Sequence, residues 1–175
     1  MLTGSEILKR IQQGSIVIDP FNFNNLNPNS YNLTLDNELK VYTKFPLDIT
    51  VENPTEIIEI PPEGYVLYPG TLYLGCTKEY TEMEDTVGCI DGRSSVGRLG
   101  IMVHLTAGFG DIGYKGRWTL EISVVHPVRI YPCMKIAQIY FEDPVGSTDI
   151  KYNGKYMNQT GPVESKLFKE YGGNK

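Results

Sequence analysis

Arg117-Trp118-Thr119-Leu120-Glu121-Ile122-Ser123-Val124 is the stretch whose reading decides the fold. Extended, its side chains alternate between two faces. Trp118, Leu120, Ile122 and Val124 form an apolar face, and Arg117, Thr119, Glu121 and Ser123 a polar one. Such alternation marks a half-buried β-strand. A carboxylate in mid-strand is usually just solvated. If the polar face lines a pocket, desolvation raises its pKa and suits it to general acid/base work.

Similar segments lie on both sides. Residues 15–18, 38–42, 56–60, 87–90, 101–105, 128–131 and 135–141 read as strands, and Tyr31, Leu33 and Leu35 alternate with polar neighbours. Residues 65–68 and 71–76 flank Pro69-Gly70, a turn signal. Many short strands between Gly, Pro and Asn turns predict a mainly β fold, a sandwich, distorted jelly roll or β-barrel. The exception is the start. Thr3 and Glu6 fit a capping box, Ile7, Leu8 and Ile11 make one apolar stripe, and Gly14 is a stop, so a short N-terminal helix is expected.

The chain's 175 residues fit one core domain. We expect a β domain over 1–145 and a polar tail over 146–175, frayed from Tyr171 onward. The tail gathers Lys151, Tyr152, Lys155, Tyr156 and Gln159, either as a solvated extension or as a cluster that folds over a phosphate. The net charge of -5 argues against a broad nucleic-acid surface but leaves room for a small basic pocket. Cys76, Cys89 and Cys133 are odd in number and widely spaced, so no disulfide framework is expected and a reducing cytoplasm fits. The first residues do not read as a signal peptide, and no apolar run approaches the roughly 20 residues that span a bilayer.

Two further segments carry chemistry. Asp91-Gly92-Arg93-Ser94-Ser95-Val96-Gly97-Arg98-Leu99-Gly100 combines glycines, hydroxyls and guanidiniums. Glycine lets backbone amides approach an anion, and arginine matches phosphate oxygens with a two-pronged donor. The plain alternative is a polar turn leading into a strand. Thr106-Ala107-Gly108-Phe109-Gly110-Asp111 opens a glycine-rich loop, either a hairpin capped by its own Asp or a sugar-binding loop with Asp111 on a hydroxyl. Zinc-dependent nucleobase deaminases carry H-x-E and P-C-x-x-C. His104-Leu105-Thr106 fails the first and Pro132-Cys133-Met134-Lys135-Ile136 the second, so no protein-bound zinc is expected and His104, His126 and Cys133 read as structural.

Taken together, these motifs resemble the dCTP deaminases of the trimeric dUTPase-like superfamily. Asn27-Pro28-Asn29-Ser30-Tyr31-Asn32-Leu33-Thr34-Leu35 is similar to the family's N-terminal strand signature, 91–100 to its GRSSxGRLG motif, 106–116 to its sugar-and-base loop, Thr119-Leu120-Glu121 to its catalytic strand, and Lys155-Tyr156-Met157-Asn158-Gln159 to its C-terminal phosphate-closing motif. The resemblance implies a dUTPase-like fold and a cytoplasmic homotrimer with sites between subunits. It implies that Glu121 takes a proton from water and delivers it to N3 of cytosine, with Ser94, Arg98 and the Ala107 backbone positioning that water. Arg93, Ser95, Tyr152, Lys155 and Gln159 would hold the triphosphate, with Mg²⁺ riding on it, and Asp111 the 3′-hydroxyl. The expected reaction is deamination of dCTP to dUTP and ammonia. Three alternatives stay open: a bifunctional enzyme forming dUMP and pyrophosphate, a dUTPase only, and a non-catalytic nucleotide-sensing trimer. Gly108 resembles the bifunctional members, because it leaves room beside Asp111 where deaminase-only members carry bulk.

Overall fold

A computed structural model describes residues 1–173. The chain begins with α1 (Gly4–Gln13) and β1 (Ile16–Asp19), then a single 3-10 turn at Phe23–Asn25. Next come β2 (Tyr31–Thr34), β3 (Glu38–Tyr42), β4 (Thr55–Glu59), β5 (Tyr65–Leu67), β6 (Tyr73–Cys76), β7 (Tyr80–Met83) and β8 (Val87–Gly92). A one-turn α2 (Ser94–Gly97) separates β8 from β9 (Ile101–Met102) and β10 (Lys115–Gly116). β11 (Thr119–Val124), β12 (Val128–Ile130), β13 (Lys135–Glu142) and a short α3 (Phe168–Tyr171) complete the order.

The largest sheet runs β4-β3-β6-β11-β9, and smaller sheets run β2-β13-β8, β1-β7-β10 and β12-β5, all antiparallel. The mainly β, jelly-roll-like expectation holds. Leu120, Ile122 and Val124 of β11 are buried, while Thr119, Glu121 and Ser123 are half-buried on the other face. Tyr31, Leu33 and Leu35 pack from β2 into the same core, against Leu39, Ile139 and Phe141. Pro69-Gly70 does turn the chain, with Gly70 at φ +85, but β5 and β6 do not pair with each other. β5 joins β12 and β6 joins β11, so the turn passes the chain between sheets.

Several local readings change. Thr3 caps α1 by accepting from the Glu6 N–H at 3.3 Å, and Gly14 ends the helix at φ +80. The Glu6 carboxylate does not complete the box; it pairs with Lys9 and Arg10 one turn on. β7 was not expected, because its buried positions include Thr81 as well as Met83. That threonine is satisfied internally, accepting from the Trp118 indole N–H at 2.9 Å. The strand expected at 101–105 stops at Met102. In the tail, Tyr171 ends α3 and Gly172 donates to the Phe168 carbonyl at 2.7 Å; residues 174 and 175, part of the expected frayed end, lie outside the described residues. Cys76 and Cys89 are buried, Cys133 is exposed, and all three are free. Among the described residues no helix is long and apolar enough to cross a membrane.

One buried carboxylate lies within the fold. Glu79 is 2% exposed, and its two oxygens accept from the Thr34 N–H and the Thr34 hydroxyl, both at 2.8 Å. Burial pushes its pKa up, outweighing the pull of those donors. The folded state therefore binds this proton more tightly than the unfolded chain. Stability from this group is greatest at or below the ordinary value of 4.5 and declines as pH rises through the raised folded value. Glu79→Gln keeps the shape and removes the charge. The variant is expected to gain stability relative to the parent protein as pH rises from the ordinary value of 4.5 through the raised folded value, read by urea unfolding. A stability difference that does not change with pH would contradict this account of Glu79.

Candidate functional site

The polar face of β11 lines a cleft of about 550 Å³. Glu121 projects into it from mid-strand, where its Oε2 accepts from the Leu105 N–H at 2.9 Å. That bond fixes one carboxylate oxygen against the main chain. The loop after β9 forms the opposite wall. It is laid along the edge of β8: the Ile90 N–H donates to the Gly108 carbonyl at 2.6 Å, and the Gly110 N–H to the Gly88 carbonyl at 2.9 Å. This short bridge presents Ala107, Phe109 and Asp111 to the cleft. Below them, the Tyr114 ring packs tilted against Trp118, centroids 4.8 Å apart, and its hydroxyl donates to the Arg117 carbonyl at 2.6 Å. Burial pushes the Tyr114 phenol well above its ordinary range, so it stays a donor at neutral pH.

The polar tail closes the third side. The Tyr152 N–H donates to the Ile112 carbonyl at 2.7 Å, the Asn158 N–H to Lys115 at 2.8 Å, and the Arg117 N–H to Gln159 at 2.9 Å. Farther on, the Val163 N–H donates to the Thr119 hydroxyl at 3.1 Å, and Lys40 pairs with Glu164 at 2.6 Å. Gln159 donates its side-chain amide to the Arg117 carbonyl and the Tyr114 hydroxyl. Lys155 is paired with Glu170, which raises its pKa above the ordinary lysine value. Lys151 is held by Glu84.

A second cleft, of about 620 Å³, lies elsewhere on the surface and is lined by Arg93, Ser94, Ser95, Asn32 and Gln138. The 91–100 segment, expected as an anion loop or polar turn, ends β8 and forms α2, with Arg93 as the residue before the helix. The Arg93 Nε donates to Asn32 Oδ1 at 2.9 Å and its Nη1 to the Lys135 carbonyl at 2.8 Å. Ser94 and Ser95 are exposed.

The structure thus sorts the candidate residues into two groups. Glu121, Ala107, Asp111, Tyr152 and Gln159 share the first cleft; Arg93, Ser94 and Ser95 share the second; no residue lines both. Arg98 and Lys155 line neither: Arg98 is exposed at the end of α2, and Lys155 is turned to Glu170. Sequence reasoning passed over Gln138 and Asn32. Gln138 stood out as a lone amide in an apolar strand run, and Asn32 lay inside a stretch read only for its strand pattern.

The antiparallel jelly-roll-like fold thus carries one acid-bearing cleft and one arginine–serine cleft. A family model described as dCTP deaminase-like matches residues 1–144. The chain belongs to the dCTP deaminase-like family. It is 50% identical over 171 residues to "dCTP deaminase, dUMP-forming" of Clostridium beijerinckii, covering 98% of both chains. The protein of the same name from Hathewaya histolytica is 53% identical over 171 residues, covering 98% of this chain and 99% of that one. Among solved structures, 2′-deoxycytidine 5′-triphosphate deaminase from Agrobacterium tumefaciens matches with a TM-score of 0.64 at 20% identity, over 82% of this chain and 47% of that one. That likeness is one of fold alone.

The names of the relatives correct one expectation. Deamination of dCTP ending at dUTP was the leading reading; relatives about half identical over nearly the whole chain are named dUMP-forming, which favours the bifunctional alternative. The reasoning from Gly108 also changes. A Cβ there would collide with the Ile90 carbonyl oxygen and press on the His104 ring. The glycine answers to close backbone approach, not to open space beside Asp111. Gly108→Ala is expected to cost about 1–3 kcal/mol by forcing the loop off β8, measured by thermal unfolding. An alanine variant as stable as the parent would show that the approach is not needed.

Proposed function

We propose that this protein deaminates dCTP and hydrolyses the resulting dUTP in the same site, giving dUMP, ammonia and pyrophosphate. The observation that carries the reading is Glu121, held by the Leu105 N–H in a cleft with Asp111, in a chain half identical throughout to dUMP-forming relatives. In the first step water adds to C4 of cytosine while Glu121 accepts its proton and passes it to N3; Glu121 then moves the remaining hydroxyl proton to the exocyclic amino group, the C4–N4 bond breaks, and ammonia leaves with the C4 carbonyl formed. One carboxylate serves as acceptor and then donor. His104-Leu105-Thr106 and Pro132-Cys133-Met134-Lys135-Ile136 lack the H-x-E and P-C-x-x-C spacings of zinc deaminases, so carboxylate activation of the water, independent of zinc, is the reading we favour. In the second step a further water attacks the α-phosphorus in line, the bond to the β-phosphate bridging oxygen breaks, and pyrophosphate departs. Magnesium arrives with the triphosphate, and Arg93 and Ser95 add donors to it.

The two clefts imply a second copy. Glu121, Ala107 and Asp111 line one cleft of the chain, and Arg93, Ser94 and Ser95 line the other. Around them Leu99, Met102, Leu105 and Val125 are exposed, and the Ser123 hydroxyl is buried without a hydrogen-bond partner. Exposed apolar side chains beside an incomplete polar site fit a symmetric interface. We therefore read the protein as a homotrimer in which Arg93, Ser94, Ser95 and Arg98 of one copy face Glu121, Ala107 and Asp111 of the next. Residues 146–175 act as the closing segment, with Tyr152, Lys155 and Gln159 turning to the phosphates once nucleotide is bound.

Glu121→Gln is expected to lower ammonia release from dCTP by at least about 10²–10⁴-fold while the protein stays folded and binds dCTP. Near-normal turnover would remove the proposed base. Mixing Glu121→Gln chains with Arg93→Ala chains, after unfolding and joint refolding, is expected to restore activity that neither variant has alone. Each mixed assembly then holds some sites with both groups intact. No recovery from mixtures shown to exchange subunits would contradict a site built between copies.

A further inference from the structure

We infer that Asn32 is a positioning residue that aims the Arg93 guanidinium at the triphosphate, through a closed ring of neutral side chains beneath the phosphate cleft. The inference rests on the reading of Arg93 as a triphosphate contact.

The ring can be followed bond by bond. Arg93 Nε donates to Asn32 Oδ1 at 2.9 Å. Asn32 Nδ2 donates to Asn27 Oδ1 at 3.2 Å, and Asn27 Nδ2 to the Ser30 hydroxyl at 3.1 Å. That hydroxyl donates to Gln138 Oε1 at 3.2 Å, and Gln138 Nε2 to the carbonyl of Gly92, the residue preceding Arg93, at 3.0 Å. Each amide has its direction set by the next. Because the Asn32 nitrogen is committed to Asn27, its oxygen must face Arg93. Asn32 and Ser30 are buried, while Asn27, Arg93 and Gln138 are half-buried at the cleft wall, so these bonds are partly shielded from water.

The chemistry of the clamp matters. Arg10 is held by Glu6, Asp85 and Asp143, and Arg117 by Asp36. Arg93 is held by an amide oxygen and a main-chain carbonyl, and the described residues bring no carboxylate into ion-pair contact with it. Neutral acceptors fix the plane of the guanidinium without cancelling its charge. The remaining N–H groups of the fork stay available to the cleft, where a phosphate accepts two in parallel. Without Asn32 the guanidinium keeps one anchor and can rotate, so binding a phosphate must then order it.

The test compares Asn32→Ala, Asn32→Asp and Arg93→Ala in steady-state turnover of magnesium-dCTP, with magnesium tripolyphosphate as a competing inhibitor. Asn32→Ala is expected to raise KM about 10-fold, the loss of one hydrogen bond to a charged group, with kcat changed by less than about 3-fold. Tripolyphosphate inhibition should weaken by a similar factor. Asn32→Asp keeps an acceptor for Nε and is expected to recover most of the affinity, with a residual deficit from its added charge. An unchanged KM in Asn32→Ala, or an Asn32→Asp variant no better than alanine, overturns the inference. If Asn32→Ala does not fold, Asn27→Ala probes the same ring one bond farther out. It is expected to raise KM about 3-fold by freeing the Asn32 amide to turn, and an unchanged KM overturns the inference equally. If Arg93→Ala leaves tripolyphosphate inhibition as in the parent, the phosphate reading of Arg93 falls and the inference with it. If Arg93→Ala weakens inhibition and Asn32→Ala does not, only the positioning role of Asn32 falls.

Discussion

The antiparallel pairing of β11 with β6 on one side and β9 on the other is the constraint on which the site depends. Its register sets Glu121 opposite Leu74 and Ser123 opposite Met102. With Leu120 and Ile122 almost wholly buried, the strand cannot slip by one residue without driving Glu121 into the core and leucine into water. The position of the carboxylate is therefore set by the same apolar burial that holds the sheet together. The Leu105 N–H then fixes its orientation, so the group proposed to handle protons is held on a rigid element rather than on a loop.

The two clefts are built by different means. The acid-bearing cleft depends on close backbone approach: Gly108 and Gly110 lie against the edge of β8, and no side chain fits at either without displacing Ile90 or Trp118. The arginine cleft depends on side-chain amides, in a ring from Gln138 to Arg93. The first sets the shape of the pocket proposed for base and sugar, and the second fixes the direction of the Arg93 guanidinium. A tail of polar composition joins the first cleft through main-chain hydrogen bonds to Ile112, Lys115 and Arg117. Tyr152 adds an apolar anchor, packed against the core with its ring 5.8 Å from that of Tyr114.

Much of the fold was legible because alternation is a direct record of burial. β11 and β3 showed it plainly, whereas in β2 the polar Asn32 is buried along with Tyr31 and Leu33. β7 was hidden because Thr81 occupies a core position, supported by Trp118 and the Gly116 carbonyl, contacts that no local pattern reveals. β10 and α2 are too short to carry a period. The tail was ambiguous because its attachment runs through main-chain groups, which composition does not report. At the site, residue types pointed to Glu121, Asp111 and Arg93, but not to their separation into two clefts, which is a property of the folded chain. Asn32 was readable as a strand residue only; its bond to Arg93 spans 61 positions in sequence.

The central claim is that one site carries both hydrolyses. Its most direct test is a single time course of purified protein with magnesium-dCTP, with dUTP, dUMP, ammonia and pyrophosphate followed in parallel. The account predicts that ammonia and pyrophosphate appear together in equal amounts, with dUMP as the nucleotide product and no pool of dUTP. Accumulation of dUTP with ammonia but without pyrophosphate would contradict it.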